Sequence, residues 1–327
     1  MDTIAIQGTD LTVSRIGLGT WAIGGSGWRY GWGSQDDEDS VSVIHEAIDL
    51  GINWVDTAAA YGLGHSEEVV GRALEGRRDK VLVATKCGRK PARDGFNLDA
   101  VLDADSVREE LEDSLRRLKT DCIDLYQVHW PTPDPKIEEA WTEIARAVKA
   151  GKVRWAGVSN FSPEQMRRIQ GILPITSLQP PFSMLRREIE EEILPFCAQN
   201  GIGVICYSPM QMGLLSGKFN RERVASLAAD DLRGTNPYFT EPALSRNLEL
   251  VEKLRPIARR RGRSVGELAI AWVLSRPGVT AAIVGGRRPG QAKELAGAAD
   301  WALSGDELAA IGKALAEREA QGDAAAS

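Results

Sequence analysis

The sequence predicts a (β/α)8 barrel, and two observations lead to this fold. Short aliphatic runs typical of buried strands alternate with amphipathic helical segments along the chain. Several of these runs end at or near an ionisable side chain, as barrel strands do when their carboxyl ends open on one face. The competing fold, a doubly wound sheet, normally has a glycine-rich phosphate loop and a helix after its first strand. Here the sequence GLGTW at 17–21 lacks the third glycine and the helix.

The alternation gives eight strands and eight helices. The strands are predicted at 16–19, 53–56, 81–86, 123–129, 153–159, 175–179, 203–207 and 279–284. The helices are predicted at 37–50, 66–74, 104–118, 136–150, 162–170, 188–199, 242–261 and 289–297. Ser162, Pro163 and Gln165 form the signature of a capped helix start. Gly51 and Gly151 mark helix ends that lead into the next strand.

Additional elements are predicted at both ends of the barrel sequence. A β-hairpin at 3–6 and 11–13 precedes the first strand and is expected to close the bottom of the barrel. An extra helix at 304–319 follows the eighth helix, and residues 320–327 are expected to fray. Residues 1–327 are interpreted as one domain. Long loops usually carry function, and three are expected to overhang the barrel mouth: 23–36, 88–103 and 209–241.

The composition argues against several classes of function. Of the 327 residues, 43% are hydrophobic and 26% are charged, which is ordinary for a globular protein. The net charge of −6 disfavours nucleic-acid binding. No apolar run reaches the roughly 20 residues that span a bilayer, and the first residues lack the pattern of a signal peptide. A cytoplasmic protein without membrane or nucleic-acid partners is therefore expected. Four scattered cysteines without histidines at ligand spacing predict free thiols and no metal site: Cys87, Cys122, Cys197 and Cys206.

Four ionisable residues near strand ends predict a proton-transfer site: Asp56, Tyr61, Lys86 and His129. Tyrosine is a weak acid with a pKa of about 10, and a nearby Lys86 cation is expected to lower that pKa. Asp56 would pair with Lys86, and His129 would donate an N–H to a substrate oxygen. Together these groups can protonate an alkoxide that forms from a carbonyl, or deprotonate an alcohol in the reverse direction.

Each of the four residues also has an ordinary structural interpretation. Asp56 fits a turn or helix cap, Tyr61 a loop aromatic, Lys86 a surface lysine and His129 a structural histidine. Only their joint pattern favours catalysis. A Schiff-base aldolase that uses Lys86 is a further alternative, although Asp56 beside the amine would keep it protonated and disfavour that chemistry.

Longer motifs surround these residues in a fixed order. They are GINWVDTA at 51–58, YG at 61–62, SEEVVG at 66–71, DLYQVHW at 124–130 and GVSNF at 157–161. In text and spacing they resemble the motifs of aldo-keto reductases over nearly the whole chain. With its long Trp- and Gly-rich loop after the first strand, the chain resembles the bacterial branch of the family near the glyceraldehyde and general-stress reductases.

The resemblance implies a TIM barrel that reduces aldehydes and ketones to alcohols by reversible hydride transfer. It implies an NADP-dependent oxidoreductase acting on CH–OH groups, with NAD(H) as a weaker alternative. By the same resemblance Tyr61 is the general acid/base, Lys86 and Asp56 tune it, and His129 orients the carbonyl. The family default is a monomer that binds a small-molecule carbonyl or alcohol. The fold also serves as a cofactor-sensing subunit of potassium channels with slow turnover, which is the alternative function.

The cofactor residues are carried over from the resemblance. Ser159, Asn160 and Gln179 would hold the nicotinamide carboxamide, and Tyr207 would stack under the ring. The loop after the first strand would skirt the nicotinamide and ribose through Gly19, Thr20 and Trp21. The pyrophosphate loop would contain Ser208, Gly213 and Leu214. Small residues there let backbone N–H groups approach an anion closely.

The segment expected to bind the adenosine end of the cofactor departs from the family pattern, which often has a Lys-Ser pair after the eighth strand. This chain has Gly285, Gly286, Arg287 and Arg288 before a helix start, which still suits a phosphate. Arg287, together with Arg288, is predicted to bind the 2′-phosphate of NADP, and Gln291 and Glu294 to meet the adenine. If the arginines are merely solvated, NAD would serve as well.

The substrate pocket is expected to be aromatic, which suits flat or apolar carbonyl compounds. Its predicted walls are Trp21, Trp28, Trp32, Trp130 and Phe161, with Tyr30, Tyr238 and Phe239 as further candidates. No charged anchor for a substrate carboxylate stands out in the sequence. Broad use of small aldehydes, including glyceraldehyde-like and aromatic ones, is therefore expected.

Overall fold

The computed structural model describes residues 1–323 and contains a closed barrel of eight parallel strands. In chain order, the strands within those residues are β1 (Thr3–Ala5), β2 (Thr12–Ser14), β3 (Ile16–Gly19), β4 (Trp54–Asp56), β5 (Leu82–Cys87), β6 (Arg89–Pro91), β7 (Leu98–Ala100), β8 (Ile123–Val128), β9 (Val153–Ser159), β10 (Ser177–Gln179), β11 (Gly203–Cys206) and β12 (Val279–Gly285). The barrel consists of β3, β4, β5, β8, β9, β10, β11 and β12, and β12 pairs with β3 to close it. The predicted (β/α)8 fold is confirmed, and each barrel strand lies within two residues of its predicted bounds.

The antiparallel hairpin of β1 and β2 closes the amino-terminal end of the barrel. Its apolar side chains Ile6, Leu11 and Val13 are buried. They form one cluster with residues of the barrel strands, among them Trp54 and Leu125. This cluster fills the inside of the barrel, while a larger one lies between the strands and the surrounding helices. With the bottom filled in this way, the cavity of the molecule lies at the opposite end of the strands.

Eleven α-helices surround the barrel within residues 1–323. They are α1 (Asp37–Asp49), α2 (His65–Ala73), α3 (Ala104–Leu118), α4 (Ile137–Lys149), α5 (Pro163–Ile169), α6 (Ile193–Gln199), α7 (Arg221–Ala225), α8 (Ala243–Arg260), α9 (Val265–Leu274), α10 (Gln291–Ala296) and α11 (Gly305–Asp323). The capping box of α5 forms as predicted. The Ser162 hydroxyl accepts from the amide of Gln165, and the Gln165 side-chain oxygen accepts from the amide of Ser162. In the described part of the chain, no helix is both long and apolar enough to cross a membrane.

One helix next to the barrel was not predicted. Helix α9 packs against β12, and all but one of its residues are buried, so its sequence has no polar face. A search for amphipathic periodicity therefore misses it. The helix predicted at 242–261 corresponds to α8, which packs on both α9 and α11.

Smaller differences concern the long segments. The helix predicted at 188–199 is interrupted: a short 3-10 turn, Glu188–Glu190, precedes α6. The loop after β5 contains the antiparallel hairpin of β6 and β7. Helix α11 runs through to Asp323, and 324–327 lie outside the described residues, so the fraying expected for 320–327 stays a prediction. All four cysteines are free thiols, as predicted.

Candidate active site

The four predicted catalytic residues meet at the carboxyl end of the barrel. Asp56 ends β4, Lys86 lies in β5, and His129 directly follows β8. Tyr61 begins a short turn after β4. Asp56, Tyr61 and His129 line a cavity of about 990 Å³, and Lys86 lies behind them, buried. Because parallel barrel strands all end on one face, residues separated along the chain share one site.

The Lys86 ammonium uses all three of its donors within the protein. It donates to Asp56 Oδ1 at 2.7 Å, to the carbonyl of Thr57 at 2.9 Å and to Tyr61 Oη at 3.3 Å. The interpretation of Lys86 as a surface lysine is therefore wrong. An amine paired with a carboxylate in this way is also a poor nucleophile for Schiff-base chemistry.

Asp56 is buried, and its hydrogen bonds come from several strands. Its Oδ2 accepts from Gln179 Nε2 at 2.8 Å and from Gln127 Nε2 at 3.5 Å. Its backbone carbonyl accepts from both the amide and the hydroxyl of Thr20. The side chain is thus a counter-ion for Lys86 and not a helix cap. Gln127 was not predicted, although it lies on β8 two positions before His129, which is the spacing of side chains on one face.

The environment of Tyr61 differs from the expectation in one respect. Burial raises the pKa of Tyr61 well above its usual value, and the negative charge of Asp56 raises it further. The prediction that Lys86 lowers this pKa is wrong for this structure, because burial of the phenol dominates and the charge of Asp56 acts in the same direction. Tyr61 is therefore a neutral phenol at physiological pH. Its oxygen accepts from Lys86, and its own O–H donates to no atom of residues 1–323.

His129 is a neutral imidazole. Burial lowers its pKa well below the usual value, and the positive charges of Lys86 and Arg89 lower it further. Its ring meets Tyr61 edge-on, with centroids 5.7 Å apart. Nδ1 is buried and has no hydrogen-bond partner within the described residues. A neutral histidine keeps one N–H, which it can donate to an oxygen in the cavity.

A contact between two glycines positions Tyr61. The turn Tyr61–Gly64 packs against the turn Trp21–Gly24 that follows β3. A Cβ atom added to Gly24 would lie 2.6 Å from the backbone nitrogen of Gly62. Gly62 itself has φ of 60°, in the left-handed region that favours glycine. The two backbones can approach this closely only because neither residue has a side chain.

Most of the residues predicted to hold a cofactor line the same cavity. These are Gly19, Thr20, Trp21, Ser159, Asn160, Gln179, Tyr207, Ser208, Gly213, Gly285, Arg287, Gln291 and Glu294. Three others do not line it. Leu214 is fully buried in the core, Gly286 is buried as well, and Arg288 is exposed.

The polar residues at the deep end of the cavity are joined by hydrogen bonds. Tyr207 Oη donates to Asn160 Oδ1 at 2.9 Å, and Asn160 Nδ2 donates to the carbonyl of His129 at 3.0 Å. The Ser159 hydroxyl donates to the carbonyl of Gln179 at 2.8 Å. These residues are thus held in place next to the four ionisable groups.

The aromatic walls are largely as predicted. Trp21, Trp28, Tyr30, Trp32, Trp130 and Tyr238 line the cavity. The indole of Trp21 stacks on Tyr61, with ring centroids 6.2 Å apart and an interplanar angle of 13°. Phe161 does not line the cavity: the left-handed turn at Asn160 redirects the chain, and the phenyl ring is buried in the outer core. Phe239 is likewise buried in the core.

Arg287 lines the cavity but is bound to the loop after β3. Its guanidinium donates to the carbonyls of Trp32 and Ser34, at 3.0 and 2.6 Å, and to Gln35 Oε1 at 2.8 Å. Gln35 Nε2 donates back to the carbonyl of Arg287 at 2.6 Å. The arginine is therefore not simply solvated, and its donors are engaged by the chain itself.

A second arginine, which was not predicted from the sequence, joins two of the long loops over the cavity. Arg233 forms an ion pair with Asp231 at 2.6 Å. Its guanidinium also lies over the Trp32 ring, 4.5 Å from the centroid, and near Phe219 at 5.5 Å. We name the contacts of Trp32–Gln35 with Arg233 and Arg287 the mouth cover.

The fold is the one that the resemblance implies. The profile of the Aldo/keto reductase family matches residues 15–316, and the chain belongs to this family. The family resemblance drawn from the motifs is thereby confirmed. No set of His, Cys, Asp and Glu side chains within residues 1–323 is arranged to hold a metal ion.

Three similar proteins illustrate the relationship. Aldo-keto reductase YhdN of Bacillus subtilis (strain 168) is 43% identical over 312 residues, 94% of this chain and 91% of that protein. The NADH-specific methylglyoxal reductase of Escherichia coli (strain K12) is 34% identical over 330 residues, 97% and 99% of the two chains. The solved structure of the glycerol dehydrogenase AKR11B4 from Gluconobacter oxydans has a TM-score of 0.88 at 41% identity, over 97% and 96% of the two chains.

The glycine contact predicts the effect of Gly24→Ala. The added Cβ must push the Tyr61 turn away, so kcat should fall by about 10- to 100-fold, the order that misplacement by an ångström costs. The free energy of unfolding should fall by about 1–3 kcal/mol, as overpacking does. Gly171→Ala is the control, because a Cβ there meets nothing within 4 Å. Steady-state kinetics and urea unfolding of both variants measure these effects, and an unchanged kcat in Gly24→Ala would contradict the positioning role.

The buried ion pair predicts strong coupling between Asp56 and Lys86. Their side chains are only 3% and 0% exposed, so Asp56→Asn or Lys86→Met alone leaves one group without its counter-charge. Each should lower the free energy of unfolding by about 3–5 kcal/mol. The double variant carries neither charge and should be much less destabilised than the sum of the two. Urea unfolding of the four proteins tests this, and additive losses would show that the pair is not coupled.

Proposed function

We propose that this protein reduces aldehydes and ketones to alcohols with NADPH, reversibly, and that Tyr61 is the proton donor. The observation that carries the proposal is the state of the Tyr61 phenol. It is neutral, it lines the cavity, and its O–H is unused by the rest of the protein, while Lys86 and His129 lie beside it. That is the state a general acid requires before reduction.

The roles of the residues follow from their contacts. When bound, the nicotinamide supplies the hydride that reaches the carbonyl carbon. Tyr61 and His129 donate hydrogen bonds to the carbonyl oxygen, and Tyr61 gives up its proton as the oxygen becomes an alkoxide. The phenolate left behind accepts a hydrogen bond from Lys86, which stabilises its charge. Asp56 keeps Lys86 protonated and in place. The reverse reaction takes the proton from an alcohol.

The cavity fits a dinucleotide on evidence from its backbone. Asn160, Ser208, Gln211 and Met212 all line it with positive φ, between 47° and 63°. Non-glycine residues rarely adopt this conformation, and those that do cluster at ligand clamps. Ser159, Asn160 and Gln179 would hold the carboxamide, Tyr207 would stack on the ring, and the segment around Ser208 and Gly213 would cradle the pyrophosphate.

The preference for NADP(H) rests on the arginines at the other end of the cavity. Arg287 and the exposed Arg288 would bind the 2′-phosphate, and Gln291 and Glu294 would meet the adenine. Arg287 must first exchange its bonds to Trp32–Gln35 for bonds to the phosphate. One relative is named for the other cofactor, the NADH-specific methylglyoxal reductase. NAD(H) is therefore retained as the weaker cofactor.

The substrate class follows from the aromatic walls and from the relatives. Methylglyoxal and glycerol, named for two of them, are small and oxygen-rich. We extend this to small aldehydes, including glyceraldehyde-like and aromatic ones. A monomeric state and a cytoplasmic location stay predictions from the sequence.

The central test is Tyr61→Phe. NADPH oxidation at 340 nm with DL-glyceraldehyde or 4-nitrobenzaldehyde should fall by about 10²–10⁴-fold, because the general acid is lost. Affinity for NADPH, followed by quenching of tryptophan fluorescence, should change little. Tyr126→Phe is the control, since Tyr126 is a buried phenol that does not line the cavity. Retention of most activity would exclude Tyr61 as the donor. Tight NADPH binding without turnover by the unmodified protein would instead favour the cofactor-sensing subunit.

Cofactor preference is tested with Arg287→Ala. The loss of charged hydrogen bonds to a phosphate should raise the Kd for NADPH by about 10- to 100-fold. The Kd for NADH should change much less, because NADH has no 2′-phosphate. Fluorescence titration of both cofactors measures the difference, with the exposed Arg260→Ala as the control. Equal losses for both cofactors would mean that Arg287 acts only by holding the mouth cover.

A further inference from the structure

Arg89 is a cation in the cavity that has no hydrogen-bonding or ionic partner in the described part of the chain. It lines the cavity and is partly buried, yet its guanidinium makes no hydrogen bond or ion pair with any of residues 1–323. The other arginines nearby are engaged: Arg287 binds the mouth cover and Arg233 pairs with Asp231. A partly buried, unpaired charge is costly unless a counter-charge reaches it.

The position of Arg89 is fixed by the hairpin that carries it. Arg89 opens β6 and pairs with Ala100 of β7. The preceding residue is held too, because the Gly88 amide donates to the buried carboxylate of Glu110 at 3.0 Å. The guanidinium lies over the indole of Trp130, 5.9 Å from the ring centroid. Stacking on an aromatic face leaves the N–H edge of an arginine free for a bidentate contact.

The charges that line the cavity favour anions. The lining includes six basic side chains, Arg89, Arg186, Lys218, Arg223, Arg233 and Arg287, and three acidic ones, Asp56, Glu267 and Glu294. Each acidic side chain already has a basic partner, respectively Lys86, Arg263 and Lys218. Arg233 and Arg186 pair with Asp231 and Glu188, so the remaining positive charge is that of Arg89, Arg223 and Arg287. The protein as a whole has a net charge of −6, so this excess of positive charge is local to the cavity. The phosphates of a bound dinucleotide would account for the positive charge at the far end of the cavity but not for Arg89.

Arg89 lies at the reacting end of the cavity. It is three residues beyond Lys86, so the two Cα atoms are at most about 10–11 Å apart. Its charge is close enough to His129 to contribute to that imidazole's lowered pKa. An anion bound to Arg89 would therefore lie in the same part of the cavity as a carbonyl placed at Tyr61 and His129.

We propose that Arg89 binds an anionic group, a carboxylate or a phosphate, on the carbonyl substrate. The inference rests on the proposed reductase function and narrows its substrate class to aldehydes or ketones with an anion a few bonds from the carbonyl. It replaces the sequence-based expectation that the pocket has no charged anchor.

Matched substrates test the anchor. 4-Carboxybenzaldehyde is compared with its neutral methyl ester, and glyceraldehyde 3-phosphate with glyceraldehyde, in the unmodified protein, Arg89→Gln and Arg89→Lys. Arg89→Gln should lower kcat/KM for at least one anion by about 10- to 100-fold, mainly through KM, because uniform binding is lost. The neutral substrates should change about twofold or less, and Arg89→Lys should be intermediate. Arg93→Gln is the matched control, since it removes an exposed charge from the same hairpin.

The pattern of losses decides the outcome. Loss with only one of the two anions supports the anchor and identifies the group. Equal losses for anionic and neutral substrates, or no loss, or the same loss in Arg93→Gln, would overturn it.

Quenching of tryptophan fluorescence by benzoate, by inorganic phosphate and by benzamide measures binding without turnover. If no aldehyde is reduced but Arg89→Gln still weakens the binding of benzoate or phosphate, the reductase function fails and the anchor stands. If binding of both anions is unaffected, the anchor fails.

Discussion

The site depends on one buried ion pair, Lys86 with Asp56. A charge inside a barrel is tolerated only when its partners are complete, and here the groups that hold the pair lie on four strands and in the turn after a fifth. Asp56 lies on β4, Lys86 on β5, Gln127 on β8 and Gln179 on β10, and Thr20 follows β3. The same pair that satisfies these groups also places an ammonium 3.3 Å from the Tyr61 oxygen. Satisfying the buried charge and placing an ammonium beside Tyr61 are thus one structural requirement.

The fold was predictable from sequence wherever burial and periodicity point to the same answer. The barrel strands are buried aliphatic runs between turn signals, and most of the outer helices have one apolar stripe, so both can be recognised locally. Helix α9 was not recognised because it is covered on all sides and its sequence carries no period. The interruption before α6 and the hairpin of β6 and β7 also have weak local signals, since they depend on how a long segment lies over the barrel.

The candidate site was predictable as a set of residues but not as a set of contacts. The four ionisable groups were located because strand ends converge, and the strand-end rule needs no side-chain detail. The pKa direction at Tyr61 depends on burial and on the distance to Asp56 as well as to Lys86, which a sequence does not give. Likewise, nothing in the sequence indicates that Arg287 is engaged by Trp32–Gln35 while Arg89 has no hydrogen-bonding or ionic partner among residues 1–323. Those outcomes are set by residues far apart in the chain.

The mouth cover has a consequence for the order in which the molecule folds and opens. Arg287 and the segment it binds are 252 to 255 residues apart in sequence, whereas the barrel strands pair mostly with their neighbours in the chain. Contacts of such long sequence separation require that the intervening chain is already organised. The cover is therefore expected to assemble after the barrel and to open by a local fluctuation that leaves the barrel hydrogen bonds intact. Access to the cavity is in this way separated from the global stability of the protein.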